Sequence, residues 1–470
     1  MSSQCGSSGT QETKGDLKWW QLSLLGVACT IGTGYFLGSA LAIHIGGPAI
    51  LAGFVLAALG TYTVFDVLSK MTADHPEKGS FRSYAKRAFG RWAGFSSGWV
   101  YWASELLIMG SQLTALSIFS RFWFPGIPMW IFAAGYAVLG LIVILVGNKL
   151  FDSIENVLSV IKIAAILMFI VIAAAALFGW IRGGGHRPEF PHTAGALLPH
   201  GFTGLWAAFI YAFYAYGGIE VLGLMSLRLK KPEQAPMAGK IMLIMLITLT
   251  ILYVLSLGLA VTMVAYSAFD PKKSPFITAL GSYALPFIPH VFNGVLIIAG
   301  FSTMVASLYA VTTMLVTLAE DSDAPPVFAK KVTKKELPLL AIGLTAVGLI
   351  ASIVLALAMP GKIYEYVTTA AGLMLLYNWL FILFTAGKLL ELKLLGQIMR
   401  FTGMALILLA VAGTLFHGTS RPGLWGSLIF VLLIGGITVL LQFTVWKKKK
   451  PDKTVPKRRV AIRSNKRPAH

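Results

Sequence analysis

The sequence predicts an all-α membrane protein with twelve transmembrane helices, and three observations lead to that prediction. Of the 470 residues, 56% are hydrophobic and only 12% are charged, whereas a soluble domain carries about 25% charged residues. Twelve apolar segments approach the roughly 20 residues that cross a bilayer as a helix. Residues 1–18 are polar and lack the apolar core and cleavage site of a signal peptide, so the first segment is expected to stay in the protein.

The apolar segments divide the chain into five parts. A polar N-terminal tail over residues 1–18 precedes a first group of five segments over 19–180 and a second group of five over 203–386. Two additional segments over 400–446 are followed by a basic C-terminal tail at 447–470. In order, the segments span approximately 19–44, 47–69, 95–119, 128–147, 157–180, 203–227, 240–266, 290–318, 338–358, 363–386, 400–416 and 424–446.

Lysine and arginine residues predict the orientation, because loops rich in them stay on the cytoplasmic side of a membrane. With the N-terminus inside, the N-terminal tail and the inner loops hold twenty Lys/Arg residues, and the outer loops hold seven. Both termini are therefore predicted to be cytoplasmic, in a cell membrane. The C-terminal tail adds eleven Lys/Arg residues against the single Asp452, which favours contact with anionic lipid head groups over nucleic-acid binding.

The sequence offers little for catalysis. No loop is long enough to form a soluble catalytic domain, and no metal-ligand cluster or nucleophile motif stands in a loop or a segment. Cys5 and Cys29 do not form the pattern of a disulfide framework. We therefore expect no enzyme activity, no cofactor and no metal.

The inner face of the predicted bundle carries two local features. The loop over residues 75–91 mixes charged and aromatic residues, which favours a short amphipathic helix, with a solvated connector as the alternative. Asp66 and Lys70, at the inner end of the second segment, have the i, i+4 spacing of a helical ion pair.

Two glycine-rich stretches interrupt apolar segments at corresponding places in the two groups. The first, residues 29–36 in the first segment, holds two glycines and two threonines within five residues, and each glycine costs a helix about 1 kcal/mol relative to alanine. The second, residues 214–220 in the sixth segment, adds a carboxylate to a pair of glycines. One such stretch alone is equally explained by helix packing through small residues. The matched pair indicates the binding site of a transporter.

Several polar residues within the segments are candidates for function. Lys162 lies about five residues inside the fifth segment, where a charged side chain is costly and indicates a functional site. The alternative is a lysine that extends its ammonium to the membrane interface. Ser302, Thr303 and Ser307 in the eighth segment are candidates for a cation site, with hydrogen bonds to their own helix as the alternative. Glu220 is expected to cap backbone donors that the second interruption frees.

A series of short motifs runs in order along about residues 18–400. They are Leu24-Leu25-Gly26-Val27, Ile31-Gly32-Thr33-Gly34-Tyr35-Phe36-Leu37-Gly38-Ser39, Gly46-Gly47-Pro48, Gly79-Ser80-Phe81, Tyr84-Ala85, Gly98-Trp99, Tyr101-Trp102, Leu113-Thr114-Ala115, Trp123-Phe124-Pro125, Gly218-Ile219-Glu220, Leu318-Ala319-Glu320 and Asp323-Ala324-Pro325. Together they resemble the amino acid permeases of the amino acid/polyamine/organocation superfamily. Each motif alone is weak, but the ordered set is specific to that family.

This resemblance implies a secondary active transporter that imports an amino acid by alternating access. It also implies two inverted repeats of five helices, segments one to five and six to ten, with the broken first helix of each repeat forming the substrate site. The amides around Gly32, Thr33 and Gly34 would bind the substrate carboxylate. Unwinding makes such groups available because the interior of a helix has already used its backbone donors and acceptors.

The resemblance assigns the substrate's ammonium to carbonyl groups near Thr30, Tyr214 and Gly217. Tyr214 and Tyr216 would wall or gate the pocket for the substrate side chain, with ordinary packing as the alternative. The identity of the amino acid stays open, because backbone recognition is common to all amino acids. An interruption without an acid before Glu220 mildly favours neutral substrates over cationic ones.

The third segment departs from the family. Many relatives carry Glu at the position of Gln112 and an apolar aromatic residue at the position of Glu105. Three roles are open for Glu105: contact with a cationic or polar group of the substrate, proton movement, or pairing with a neighbouring dipole. The first role makes Glu105 a candidate substrate-binding residue.

The resemblance also bears on the coupling ion. In proton-coupled relatives, a lysine of the fifth helix occupies the place that sodium takes in sodium-coupled relatives, and Lys162 resembles that lysine. A proton is therefore the favoured coupling ion. A sodium-coupled transporter and an amino acid exchanger of the same fold are alternatives, as is a non-transporting membrane sensor. A sensor would usually carry a soluble signalling domain, and none is evident in the sequence.

Overall fold

The computed structural model shows a helical chain over the residues that it describes, which are 18, 21–22, 26, 29–146, 148–183, 193–225, 235–332, 337–358 and 363–448. Turns join the helices, and extended pairing in these ranges amounts to two isolated bridges, Gly183 with Tyr283 and Val332 with Leu337. Most of both predicted tails lies outside the described residues. Lipid contact by the C-terminal tail therefore stays a prediction.

The described chain folds into helices of very different lengths. In order they are α1 (Thr33–Phe36), α2 (Gly38–Gly46), α3 (Ile50–Asp74), α4 (Phe81–Phe89), α5 (Arg91–Ser120), α6 (Met129–Val146), α7 (Asn148–Leu177), α8 (Ala194–Leu197), α9 (Gly201–Tyr214), α10 (Val221–Met225), α11 (Ala235–Met263), α12 (Pro275–Leu280), α13 (Ile288–Glu320), α14 (Leu339–Ala358), α15 (Ile363–Leu389), α16 (Leu394–Gly413) and α17 (Arg421–Thr444). Short 3₁₀ helices stand at Tyr266–Ala268, Pro326–Ala329 and Trp446–Lys448.

Nine helical spans of the described chain are long and apolar enough to cross a membrane, which confirms a multi-span α-helical membrane protein. They are Ile50–Asp74, Met129–Val146, Ser153–Leu177, Ala194–Tyr214, Leu243–Met263, Ile288–Glu320, Tyr364–Leu389, Leu394–Gly413 and Arg421–Thr444. The predicted third segment corresponds to α5, the ninth to α14, and the first is divided around α1 and α2. Twelve crossings and the inverted repeats stay a prediction.

Helix α5 is packed between other helices, with α13, α14 and α15 against it. Its buried residues include Ser104, Glu105, Ser111 and Gln112. The hydroxyl groups of Ser111 and of Thr368 on α15 share a hydrogen bond of 2.7 Å. Because neighbouring helices shield these polar groups from lipid, α5 tolerates a more polar sequence than helices at the edge of the bundle.

Helices at the edge of the bundle expose large apolar side chains. Leu432 of α17 is 72% exposed, Val171 of α7 is 66% exposed and Val347 of α14 is 60% exposed. A large apolar surface of this kind is unusual in water, whereas in a bilayer it faces hydrocarbon. The exposed surfaces therefore agree with a protein that lies in a membrane.

The predicted amphipathic helix of the inner loop is present as α4. It follows a tight turn in which Gly79 has a φ of 85° and Ser80 a φ of 47°. Its buried residues include Arg82, so α4 lies against the bundle rather than free in solvent. The predicted pair of Asp66 and Lys70 is also present, with Nζ 2.6 Å from Oδ2.

Ion pairs join the inner loop to the end of α13. Arg82 Nη1 donates to Asp321 Oδ2 at 2.6 Å, and Arg82 Nη2 donates to Asp323. Lys86 Nζ lies 2.9 Å from Asp321 Oδ2, and Arg91 Nε lies 2.7 Å from Asp323 Oδ1. The side chains of Arg82 and Asp323 are fully buried. These five residues, which we call the inner-loop cluster, connect α4 and the start of α5 to the end of α13.

Two short helices lie in connections between the predicted segments. Before α8, Thr193 Oγ1 accepts a hydrogen bond from Ala196 N at 3.2 Å. Before α12, Ser274 Oγ accepts one from Phe276 N at 3.4 Å. Thr and Ser are common N-cap residues, and Pro275 at the first helical position is a further start signal. A search for segments of membrane length does not detect helices this short.

Candidate functional site

The first predicted interruption is present in the structure. Helix extends to Thr30, Ile31 and Gly32 form a bend, and α1 begins at Thr33. Gly32 has an extended backbone with φ −146° and ψ −158°. Within the described ranges, the N–H groups of Thr33 and Gly34 donate to no backbone carbonyl, as expected at the start of a helix. Two backbone donors are therefore available to a ligand.

The second predicted interruption is present as well. Helix α9 ends at Tyr214, and turns over residues 215–220 lead to α10. Gly218 has a φ of 103°, a conformation that favours glycine. Its N–H donates to Glu220 Oε1 at 3.2 Å, and Trp379 Nε1 donates to Glu220 Oε2 at 3.2 Å. Glu220 therefore caps a donor freed by the interruption, as the sequence predicted.

The two interruptions pack directly against each other through their glycines. A Cβ atom on Gly34 would lie 2.9 Å from the carbonyl oxygen of Tyr214. A Cβ atom on Gly218 would lie 2.5 Å from the carbonyl oxygen of Cys29. Side chains do not approach backbone atoms this closely, so each position needs a glycine. The contact places the backbones of both interruptions side by side.

A small cavity of about 30 Å³ lies between the interruptions. This volume is about that of one water molecule, so the cavity holds no amino acid in this conformation. Helix α13 contributes Thr303, Ala306 and Ser307 to its lining. Seven of the eight predicted substrate-site residues also line it, namely Thr30, Gly32, Thr33, Gly34, Glu105, Tyr214 and Gly217.

Tyr216 is the predicted site residue that does not line the cavity. Its ring lies 5.4 Å from that of Tyr253 and 6.4 Å from that of Phe54, and its hydroxyl group donates to Thr250 Oγ1 at 3.4 Å. The chain turns after Tyr214, so the two tyrosines point to different surroundings. In this conformation the packing alternative describes Tyr216.

Two buried polar atoms on the cavity lining have no hydrogen-bond partner in the described part of the chain, Thr33 Oγ1 and Gln112 Oε1. Thr33 is 1% exposed and Gln112 is 5% exposed. A buried polar atom without a partner costs about 1–3 kcal/mol, so such atoms mark places where a ligand or water binds. The sequence marks Gln112 only as a departure from relatives, not as a residue of the site.

Glu105 supplies the carboxylate of the cavity lining. It is buried and lies within electrostatic range of Glu220. Among the described residues that line the cavity, none is Lys, Arg or His. A buried carboxylate needs a positive charge or a proton to offset the loss of water. This geometry suits contact with a cationic substrate group and suits proton movement, two of the roles left open above.

Lys162 is fully buried on α7. A lysine that extends its ammonium to the membrane interface would expose the end of its side chain, so complete burial disagrees with that alternative. Its ammonium interacts electrostatically with Glu155 of the same helix and with Cys29 of the first interruption. Lys162 therefore lies within electrostatic range of the first interruption.

The hydroxyl residues of α13 have different surroundings. Ser302 Oγ donates to Glu155 Oε2 at 2.5 Å. Thr303 Oγ1 donates to the Ala299 carbonyl oxygen of its own helix at 3.2 Å, the alternative given for it above. Ser307 lines the small cavity. Thr303 and Ser307 therefore meet at the small cavity, whereas Ser302 contacts Glu155, and a cation site shared by the three residues stays a prediction.

A second cavity, of about 730 Å³, is large enough for an amino acid. Tyr364 at the start of α15 belongs to its lining, together with Arg121, Lys272 and Glu365. The hydroxyl group of Tyr364 donates to the carbonyl oxygen of Thr33 at 3.3 Å, and Thr33 lines the small cavity. Tyr364 therefore stands between the two cavities. No local sequence signal marks this residue, because its partner lies far away in the chain.

Interrupted helices that meet around a polar cavity in a multi-span helical protein define the class of secondary transporters. The profile of the amino acid permease family matches residues 21–458, so the chain belongs to that family. Members of the family are transporters and not enzymes. The chain is therefore a membrane transporter of amino acids.

Similar proteins match this chain over most of its length. It is 54% identical over 440 residues to the uncharacterized transporter YcgH of Bacillus subtilis (strain 168), covering 94% of this chain and 98% of the relative. It is 28% identical over 448 residues to the aromatic amino acid transport protein AroP of Escherichia coli (strain K12), covering 93% and 97%. It is 28% identical over 372 residues to the uncharacterized amino acid permease YvbW of Bacillus subtilis (strain 168), covering 78% and 82%. These matches confirm the family resemblance drawn from the motifs.

Proposed function

We propose that this protein imports an amino acid across the cell membrane together with protons, by alternating access. The observation that carries the proposal is the contact of the two interruptions around a small polar cavity. The backbones of both interrupted helices converge there, as in the substrate sites of secondary transporters. The proposal includes twelve transmembrane helices, inverted repeats over 19–180 and 203–386, two additional helices over 400–446, and both termini in the cytoplasm.

The two charged ends of the substrate bind the backbone groups that the interruptions free. N–H groups at residues 32–34 donate to the carboxylate, and carbonyl groups near Thr30, Tyr214 and Gly217 accept from the ammonium. The free amides at the start of α1 and the partnerless Thr33 Oγ1 support a polar ligand at this place. Because the cavity is no larger than a water molecule, substrate entry includes a movement that widens it.

The substrate side chain lies against Glu105, Gln112 and Tyr214 in this proposal. The carboxylate of Glu105 favours a cationic or polar side chain. The relative AroP is named for aromatic amino acids, so aromatic substrates belong in the test as well. Competition by unlabelled neutral, aromatic and cationic amino acids against one transported substrate identifies the class.

Lys162 carries the coupling proton. Two unit positive charges about 4 Å apart repel by about 4 kcal/mol at an effective dielectric constant of about 20. The ammonium of Lys162 therefore disfavours sodium beside the first interruption. Loss of the proton toward the cytoplasm and its regain from outside would link substrate movement to the proton gradient.

Uptake into proteoliposomes tests the proposal. An inward proton gradient should drive concentrative uptake of a labelled amino acid without sodium, and Lys162→Met should remove the dependence on the gradient. Lys70→Met is the control, because the side chain of Lys70 is 48% exposed, and this variant should keep the dependence on the proton gradient. A requirement for sodium, or full gradient dependence in Lys162→Met, would overturn the coupling assignment. Flux only against internal amino acid would indicate an exchanger, and binding without flux would indicate a sensor.

A further inference from the structure

Glu155 is a buried acid in a stretch that the sequence predicts as an inner loop, because the fifth apolar segment is expected to begin at residue 157. In the structure α7 begins at Asn148, so Glu155 lies about two turns inside the helix. Its side chain is fully buried. An ionisable residue buried in a membrane-spanning helix indicates a function by default.

Glu155, Ser159 and Lys162 form a buried stripe along α7. Spacings of four and three residues place them on one face of the helix, and all three are fully buried. Glu155 and Lys162 are two turns, about 10 Å, apart along the axis. Long side chains in a helix extend back toward its start, so the Lys162 side chain runs along the face that carries Ser159 and Glu155. The two side chains interact electrostatically.

Two other elements meet this stripe. Ser302 Oγ of α13 donates to Glu155 Oε2 at 2.5 Å. Cys29 of the first interruption lies within electrostatic range of both charged members of the stripe and also of Glu105 and Glu220. The stripe therefore joins the place where the two interruptions meet to the inner part of α7.

The energetic cost of burying two charges favours transfer of a proton from Lys162 to Glu155. A buried ammonium and a buried carboxylate each lose several kcal/mol of hydration, which their attraction offsets only in part. Transfer of one proton from Lys162 Nζ to a carboxylate oxygen of Glu155 breaks an N–H bond and forms an O–H bond. The products are a neutral amine and a neutral carboxylic acid, which lose much less on burial.

We infer that Glu155 accepts the proton of Lys162 on the inner side of the transport site. This inference rests on the proposed proton coupling. Glu155 lies closer than Lys162 to the start of α7, the end that the Lys/Arg distribution assigns to the cytoplasm. The carboxylic acid then gives its proton to cytoplasmic water, which restores the carboxylate. The hydrogen bond from Ser302 holds the accepting group against α13.

Measurements of net uptake and of substrate exchange distinguish a proton-accepting role of Glu155 from a purely structural one. Uptake driven by a proton gradient needs net release of a proton, whereas exchange of labelled for unlabelled substrate at equal pH does not. In proteoliposomes, Glu155→Gln should lower gradient-driven uptake by about 100-fold, the scale of a positioned acid or base, and keep exchange. Glu155→Asp keeps a carboxyl group and should restore part of the uptake. Glu391→Gln, at an exposed acid, should match wild type in both assays.

Two results would overturn the inference. Undiminished gradient-driven uptake by Glu155→Gln would show that no acceptor is needed there. Equal loss of uptake and exchange in both Glu155 variants, with unchanged protein in the vesicles, would assign Glu155 to the structure alone. Failure of the proposed function looks different, because wild-type uptake would then not respond to a proton gradient. If the inference holds, Lys162→Met combined with Glu155→Gln loses no more uptake than Lys162→Met alone.

Discussion

Arg82→Met removes the central charge of the inner-loop cluster while keeping much of the side-chain volume. Asp321 would keep Lys86 as a partner, and Asp323 would keep Arg91. The side chain of Asp323 is fully buried, whereas that of Asp321 is 36% exposed. The substitution therefore leaves a buried carboxylate with one cation in place of two.

The expected loss of stability follows from this burial. Removing one partner of a buried ion pair costs about 3–5 kcal/mol. The contact with Asp321 contributes less than about 1 kcal/mol because water screens it. Since Arg91 remains beside Asp323, we expect a loss of about 3 kcal/mol, the lower end of the range for a buried pair. Arg82→Lys should cost less, because lysine keeps the charge but lacks the forked geometry.

Thermal unfolding of the detergent-solubilised protein measures the loss. An unfolding entropy of about 2.1 cal/mol/K per residue gives about 1 kcal/mol/K for a chain of this length, so the midpoint should fall by about 3 °C. Lys70→Met breaks an exposed pair and should cost less than about 1 kcal/mol. A shift for Arg82→Met no larger than that of Lys70→Met would refute the reasoning.

The same cluster predicts a dependence on pH. Burial alone would raise the pKa of Asp321, but the hydrogen bonds and charges of Lys86 and Arg82 lower that pKa below its ordinary value. A carboxyl group with a lowered pKa stabilises the fold fully above its unfolded value of about 3.9. That stability is lost as the pH falls through the lower, folded value. Arg82→Met should weaken this acid dependence in the same unfolding assay.

Two further predictions concern the substrate site. Gly34→Val should abolish uptake while the protein still reaches the membrane, because the new side chain meets the Tyr214 carbonyl group. Gly135→Val is the control, because no atom lies within 4 Å of its new Cβ. Normal uptake by Gly34→Val would remove the proposed carboxylate site. Glu105→Gln should change the relative uptake of cationic and neutral amino acids in the competition assay, because the cavity loses its carboxylate; an unchanged ranking would return Glu105 to a structural role.

The parts of the fold that the bilayer constrains were predictable from the sequence. A membrane fixes the length and apolar character of a helix that crosses it, so the segment expected at 128–147 is found as Met129–Val146. Glycine weakens a helix wherever it stands, so both interruptions were visible as well. The buried position of Lys162 followed from the cost of a charge at membrane depth.

Contacts between residues that lie far apart in the chain could not be predicted from the sequence. Nothing local shows that Gly34 faces Tyr214, or that Tyr364 reaches Thr33. The sequence predicts a loop at Glu155, because a charged residue ends an apolar segment even where the helix continues. Tyr216 was grouped with Tyr214 because a sequence does not show how a chain turns between two aromatic residues.

The position of Cys29 provides a native chemical reporter of opening. Its thiol is free and buried, and its carbonyl group faces Gly218 at the contact between the interruptions. Burial shields a thiol from alkylating reagents, so any movement that parts the two helices there increases its rate of labelling. With Cys5 replaced by serine, Cys29 is the one thiol left in the sequence. Reagents that do not cross membranes, added to one side at a time, would then record how often this site opens and toward which side.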